Sequence, residues 1–170
     1  KVLITAGPTY EAIDPVRFIG NHSSGKMGFE MAKTAASLGA KVYLITGPSS
    51  QVVSNSLIER IDVVSAEEMY NEVHKVYSSI DIAILSAAVA DYKPKNVADK
   101  KIKKSSDSMS IELVKTQDIL ASLGSIKKQQ FLVGFALETN NELENAIKKL
   151  KSKNLDLIVL NSLKDEGAGF

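Results

Sequence analysis

Three stretches of this chain combine residue types and spacings that can do chemistry. Gly20-Asn21-His22-Ser23-Ser24-Gly25-Lys26-Met27 has the Gly-x4-Gly-Lys spacing of a phosphate loop, but Met27 stands where a hydroxyl should ligate Mg²⁺. It also lies well past the first apolar run, whereas a phosphate loop follows its strand directly. What survives is a helix start: Ser23, Ser24 and Gly25 offer hydroxyls and free N–H groups, which favours anions. An ordinary serine cap accounts for the same residues. Upstream, Asp14-Pro15-Val16-Arg17 sets an arginine on a rigid platform, because Pro15 fixes its own backbone and biases Asp14 towards extended geometry. Arg17 can bind substrate by pairing a phosphate bidentately, or it can pair with Asp14 or Glu11 and pin the loop.

The second stretch is Ser86-Ala87-Ala88-Val89-Ala90-Asp91-Tyr92. Small residues after an apolar run let a flat ligand lie against backbone, and Asp91 follows as an acceptor for a ribose, a base or a metal. A close-packed turn capped by Asp91 fits equally. Six lysines come next (Lys93, Lys95, Lys100, Lys101, Lys103 and Lys104), either as a solvated face or as positive charge closing over a polyphosphate. In the third stretch, Lys149 and Lys153 are four apart, so at about 100° per residue they flank one helical stripe while Lys148 and Lys151 point away. His22 and His74 stand in unrelated contexts, and no metal set or Ser–His–Asp arrangement follows from spacing.

These residues need a frame, and the apolar pattern supplies one. Strands are expected at 2–6, 41–46, 58–64, 80–86, 110–114, 131–135 and 155–160, several of them unbroken Val/Ile/Leu runs typical of parallel strands covered on both faces. One helix is expected over about 25–38 with Met27, Met31, Ala35 and Leu38 inward. A second opens on the capping box Ser65-x-x-Glu68 and turns Met69, Val73, Val76 and Tyr77 inward. A third opens on Thr139-x-x-Glu142, with Leu143, Ala146, Ile147 and Leu150 inward. The alternation predicts an α/β, Rossmann-like three-layer fold with a mostly parallel, doubly wound sheet and ligands at the strands' carboxyl ends. Two long insertions, 7–24 and 87–109, are expected to be functional loops.

Composition narrows the field further. With 21 basic and 20 acidic residues there is no field to recruit nucleic acid, and no apolar run reaches the roughly 20 residues needed to cross a bilayer. Zero cysteines exclude a disulfide framework, and a cytoplasmic location is expected. A single domain over 1–170 is expected, continuing in the full protein beyond Phe170. An NAD(P)-binding oxidoreductase is the alternative for such a frame, but Gly7-Pro8-Thr9 replaces the Gly-x-Gly-x-x-Gly fingerprint after the first strand.

Six blocks taken together resemble phosphopantothenoylcysteine synthetase, the phosphopantothenate–cysteine ligase of coenzyme A biosynthesis, in its bacterial CTP-using form. They are residues 5–9, Ile13-Asp14-Pro15-Val16-Arg17-Phe18-Ile19, Asn21–Gly28, Ala87–Tyr92, Lys101-Ile102-Lys103-Lys104 and Val133–Thr139, in order and suitably spaced. The resemblance implies CTP and Mg²⁺, an acyl-cytidylate intermediate, the substrates 4′-phosphopantothenate and cysteine, a homodimer, and a possible fusion to a flavin-dependent decarboxylase. It implies catalytic roles for Lys101 (acyl-cytidylate formation) and Asn21 (transfer to cysteine, by a hydrogen bond to the acyl oxygen). It also implies nucleotide contacts by Ser23, Ser24, Gly25, Ala87, Ala88, Asp91, Lys101, Gln117, Asp118, Ile119, Leu120, Phe135, Lys149 and Lys153, and a mobile flap over 103–109. Two departures stand out: Thr116-Gln117-Asp118-Ile119 replaces the usual Asn-Pro-Asp-Ile, and Leu137 replaces Ala.

Overall fold

The computed structural model describes residues 1–104, 108–138 and 140–162. In chain order the elements are β1 (Val2–Ala6), β2 (Tyr10–Ala12), β3 (Phe18–Gly20), α1 (Lys26–Ser37), β4 (Val42–Thr46), β5 (Ile58–Asp62), α2 (Ala66–Tyr77), β6 (Ile82–Leu85), β7 (Tyr92–Pro94), β8 (Leu113–Lys115), α3 (Ile119–Ile126), β9 (Phe131–Glu138), α4 (Glu142–Ser152) and β10 (Leu157–Ser162). Six strands form one parallel sheet in the order β10-β9-β6-β1-β4-β5. That is the expected doubly wound topology, and its order reverses between β1 and β6, where a crevice opens outside the carboxyl ends.

Side chains of β1 alternate between two cores. Val2, Ile4 and Ala6 pack with Phe29, Ala32 and Ala36 of α1, while Leu3 joins Met69 and Val73 of α2, Leu120 and Leu123 of α3, and Leu155. The inward face of α1 matches expectation at Met31 and Ala35, which pack against the core, and differs at its two ends. Gly28, Phe29, Ala32 and Ala36 are buried, while Met27 and Leu38 are 43% and 83% exposed. Small residues let the helix axis approach the sheet, so the face is set by Gly and Ala with one Phe, not by the largest apolar side chains. The α2 capping box forms as predicted, with Ser65 accepting from the Glu68 N–H. The α4 box does not: its N-cap is Asn141, left-handed at φ 45° with no side-chain cap, and Thr139 lies outside the described residues. Of the residues expected inward on α4, Ala146 is buried, but Leu143 is 68% and Ile147 43% exposed.

Both long insertions contain strands. The first folds into the antiparallel hairpin β2–β3, with Tyr10 stacked on Phe18 at 3.9 Å. The second contributes β7, which pairs with β8. The strand expected over 110–114 is therefore not in the central sheet; as β8 it closes a small ladder beside the cleft. Among the described residues no helix is long and apolar enough to cross a membrane.

Candidate active site

The crevice at the order reversal is held by a seam between residues 5–9 and 86–90. Ser86 Oγ donates to the Thr5 carbonyl (2.7 Å), Thr5 Oγ1 accepts from the Ala87 N–H (3.2 Å), and Thr9 Oγ1 accepts from the Ala90 N–H (2.9 Å). The Ala88 N–H donates to the Gly7 carbonyl, and the Thr9 N–H to that of Ala88. The predicted turn of small residues is thus both close-packed and ligand-facing, because its other side opens onto a cleft of about 490 Å³. That volume is in the usual range for a small-molecule site.

Each wall of the cleft has a local cause. Ala87, Val89 and Asp91 come from the segment after β6. Pairing of Tyr92 with Lys115 in the β7–β8 ladder then brings Thr116, Gln117 and Asp118 beside Asp91, fixed by Thr116 Oγ1 donating to the Ala90 carbonyl at 2.6 Å. Asp118 caps α3 by accepting from the Ala121 N–H at 2.9 Å, so the departure from Asn-Pro-Asp-Ile leaves a capped helix start. Ile119 and Leu120 supply the apolar floor with Leu85 and Phe135.

Lys149 and Lys153 reach the cleft from the far end of α4. The carbonyl of the α4 C-cap lies against α3 because position 124 is glycine: a β-carbon there would stand 1.9 Å from the Lys153 carbonyl oxygen. Lys153 Nζ then pairs with Asp118 at 2.7 Å, and Lys149 Nζ donates to the Phe135 carbonyl at 2.7 Å. Burial pushes the Asp118 carboxyl up. The hydrogen bonds from Lys153 and the Ala121 N–H, with the charges of Lys153 and Lys149, outweigh it and hold the group below its ordinary value. Three lysines (Lys115, Lys149 and Lys153) and two aspartates (Asp91 and Asp118) line the cleft, a balance that suits a polyanion.

A second group of predicted residues stands around the seam rather than in the cleft wall. Asn21 Nδ2 donates to the carbonyls of Ala88 (3.3 Å) and Val89 (3.0 Å). Both amide hydrogens are thereby engaged, and what Asn21 leaves for a ligand is Oδ1, an acceptor. The expected hydrogen bond from Asn21 to an acyl oxygen has no donor left in this arrangement. Gly25 caps α1 in the left-handed region (φ 78°), with Gly7 N 3.2 Å from where its β-carbon would be, so glycine answers both needs. Ser23 Oγ and Ser24 Oγ sit 3.3 and 3.4 Å from the Gly25 and Lys26 N–H groups, at the edge of hydrogen-bond range.

Arg17 resolves to the loop-pinning alternative. Its Nε (3.0 Å) and Nη2 both donate to Asp14 Oδ2, and Nη2 also reaches the Ile102 carbonyl at 3.0 Å. Nε and Nη2 are thereby engaged inside the protein, while 40% of the Arg17 side chain stays exposed. Lys101 is exposed beside this tie. Asn21 follows the last residue of β3, whereas Ile102, next to Lys101, is tied to Asp14 and Arg17 at the hairpin's tip. Among the described hydrogen bonds none joins Asn21 to Lys101.

Sequence reading missed Thr5, Leu85, Val89, Tyr92, Lys115 and Thr116 as cleft residues. Thr5 and Leu85 were legible in principle, since both end a central strand. Lys115 and Thr116 depended on a ladder with no sequence signal. The expected flap over 103–109 includes residues 105–107, which lie outside the described residues. Among the described residues no cluster of three or more His, Asp or Glu is placed to hold a metal.

The chain matches, over residues 1–170, the family described as DNA/pantothenate metabolism flavoprotein C-terminal domain. A protein named cysteine/cysteine sulfinic acid decarboxylase, from an unknown prokaryotic organism, is 57% identical over 171 residues, covering 100% of this chain and 48% of that protein. The coenzyme A biosynthesis bifunctional protein CoaBC of Bacillus subtilis (strain 168) is 55% identical over 169 residues, 99% of this chain and 42% of that protein. The crystal structure of the C-terminal domain of a coenzyme A biosynthesis bifunctional protein CoaBC superposes with a TM-score of 0.82 at 47% identity, covering 94% of this chain and 76% of that one. This chain therefore spans about half the length of the curated relatives it matches. None of these matches lends support to the oxidoreductase alternative. By full-length match and fold together, this chain belongs to the DNA/pantothenate metabolism flavoprotein C-terminal domain family.

Proposed function

We propose that this domain is the phosphopantothenate–cysteine ligase half of a coenzyme A biosynthesis protein, using CTP. The observation that carries the reading is convergence: Ala87, Asp91, Gln117 to Leu120, Phe135, Lys149 and Lys153, drawn from four separate segments, line one cleft at the sheet's order reversal. Lys149 and Lys153 balance the triphosphate, Asp91 accepts from the ribose or the cytosine, and the flat base lies along Ala87 and Ala88. Mg²⁺ enters with the triphosphate, held mainly by phosphate oxygens and water, as is usual for this ion.

In the first step the phosphopantothenate carboxylate attacks the α-phosphorus of CTP. A P–O bond to the acyl group forms, and pyrophosphate leaves with its bond electrons. Lys101 offsets the charge that builds on the α-phosphate. In the second step the cysteine amine attacks the acyl carbon, CMP leaves, and the amine proton is lost. Asn21, anchored through Nδ2, presents Oδ1 to the amine N–H and aims its lone pair at the acyl carbon. Ser23, Ser24 and Gly25 hold a phosphate at the start of α1.

The names of the relatives support a larger arrangement. A decarboxylase half beside a ligase half accounts for both the decarboxylase and the bifunctional names, given the 48% and 42% coverage. We therefore propose a flavin-dependent decarboxylase elsewhere in the full protein; a homodimer working in the cytoplasm is implied by the family resemblance alone. The test is pyrophosphate release: it should require CTP and phosphopantothenate together, and ATP should compete poorly. Release from ATP at an equal rate would overturn the nucleotide assignment.

A further inference from the structure

Asp14 has no side-chain exposure, although its neighbour Val16 is 61% exposed. Its Oδ1 accepts from the N–H groups of Val16 and Arg17, each at 2.9 Å. Its Oδ2 accepts from Arg17 Nε and Nη2 and from the N–H of Ile102, the last at 3.1 Å. Arg17 Nη2 returns a hydrogen bond to the Ile102 carbonyl at 3.0 Å. One ion pair thus holds both polar groups of a residue more than eighty positions away. A second tie joins the same segments, the Ala98 N–H donating to the Ile13 carbonyl at 3.0 Å.

The hairpin carrying this pair is itself anchored at its base. The Tyr10 N–H donates to the Val64 carbonyl at 2.8 Å, and the buried Glu11 carboxylate accepts from the Ala66 N–H at 2.8 Å. Beyond β3, Asn21 is fixed to Ala88 and Val89. The hairpin therefore works as a spacer, with its base on the sheet and its tip on residue 102.

We propose that Asp14 and Arg17 are positioning residues that clamp the backbone of Ile102 and so set where Lys101 stands relative to Asn21. This rests on the reading of Lys101 as the residue of acyl-cytidylate formation. Residue types fit the task. A carboxylate can accept from several N–H groups at once, and only a planar guanidinium can hold both that carboxylate and the carbonyl beside it; lysine offers a single point of charge. The hydrogen bond from Arg17, with those from the N–H groups of Ile102, Val16 and Arg17, also outweighs burial and keeps the Asp14 carboxyl well below the usual carboxylate range, which leaves it ionised at any working pH.

Two measurements on Arg17→Lys and Ile102→Pro test the clamp, with Asp14→Asn as a third, more disruptive variant. In amide hydrogen exchange, protection across 98–104 should fall about tenfold or more, while β1 and β4 keep theirs. In the pyrophosphate assay, kcat should fall at least tenfold with the KM values for CTP and phosphopantothenate within about threefold. Transfer from preformed acyl-cytidylate to cysteine should be almost unaffected. A substrate contact by Arg17 would instead raise the KM for phosphopantothenate and leave Ile102→Pro close to normal, and that result would overturn the proposal. So would unchanged protection over 98–104 in both variants, or protection lost throughout the sheet. If the unaltered chain releases no pyrophosphate, the ligase reading fails, and the exchange result alone still decides the clamp.

Discussion

The cleft wall and the β2–β3 hairpin use the same kinds of residue for opposite ends. In the cleft, Lys153 and Asp118 form a partly exposed pair, with 23% and 50% of their side chains accessible, and each remains open to a ligand. In the hairpin, Asp14 and Arg17 form a pair whose carboxylate is sealed and saturated by N–H donors. A half-solvated pair can exchange its partner for a phosphate at little cost, since exposed ion pairs are worth only about 0–1 kcal/mol. A buried one cannot, because removing either member strands a desolvated charge. Function of a charged pair therefore follows from its burial: the open one recognises, the sealed one holds.

The largest effects should arise where the two regions meet. Lys101→Gln is expected to lower pyrophosphate release by roughly 10²–10³-fold, the scale for losing one electrostatic stabiliser of a transition state. Asn21→Asp should instead accumulate acyl-cytidylate, detectable by mass, because a carboxylate beside the Ala88 and Val89 carbonyls is repelled from its position. Equal loss of both steps in either variant would erase the division of labour.

Within the cleft wall, Gly124→Ala should push α3 off the Lys153 carbonyl. Overpacking of this kind typically costs about 1–3 kcal/mol, read as a lower Tm, with a raised KM for CTP. Lys153→Ala should raise that KM about tenfold and leave kcat nearly unchanged. A fall in kcat alone would assign Lys153 to the chemistry instead.

The hairpin makes a pH prediction. Asp14 has its folded-state pKa depressed, first by the hydrogen bond from Arg17 and further by the N–H groups of Ile102, Val16 and Arg17, against a smaller opposing effect of burial. A depressed acid contributes stability above its unfolded pKa and loses it as pH falls through the folded value. The Tm difference between the chain and Asp14→Asn should therefore stay flat from pH 7 to about 5 and shrink below the unfolded carboxyl range near about 4. The smallest effect expected is Ser65→Ala, about 1 kcal/mol for a lost capping box, with kinetics unchanged.

Much of this was legible in the chain itself. The unbroken Val/Ile runs marked β1, β4, β6 and β9, and their alternation with helices implied the doubly wound sheet, because burial on both faces leaves that pattern. The 3.6-residue period put Lys149 and Lys153 on one side of α4. What stayed hidden depended on contacts distant in sequence. The β2–β3 hairpin is too short to show an alternation, and α3 is apolar on most sides, so neither has a period to detect. Arg17 was legible as a choice between ligand and loop, but only the approach of Ile102 decides it. On α1 the pattern gave Met31 and Ala35 inward but not Gly28 and Ala32, which carry little apolar weight although their small size is what brings the helix to the sheet.

A crystal structure of this chain with CTP and Mg²⁺ tests the central claim most directly. The account predicts cytosine and ribose along Ala87 to Asp91, and the triphosphate between Asp118 and the Nζ atoms of Lys149 and Lys153, with the Lys153–Asp118 pair opened or bridged. Nucleotide density on the α1 side of β1, with that cleft filled only by solvent, would contradict it.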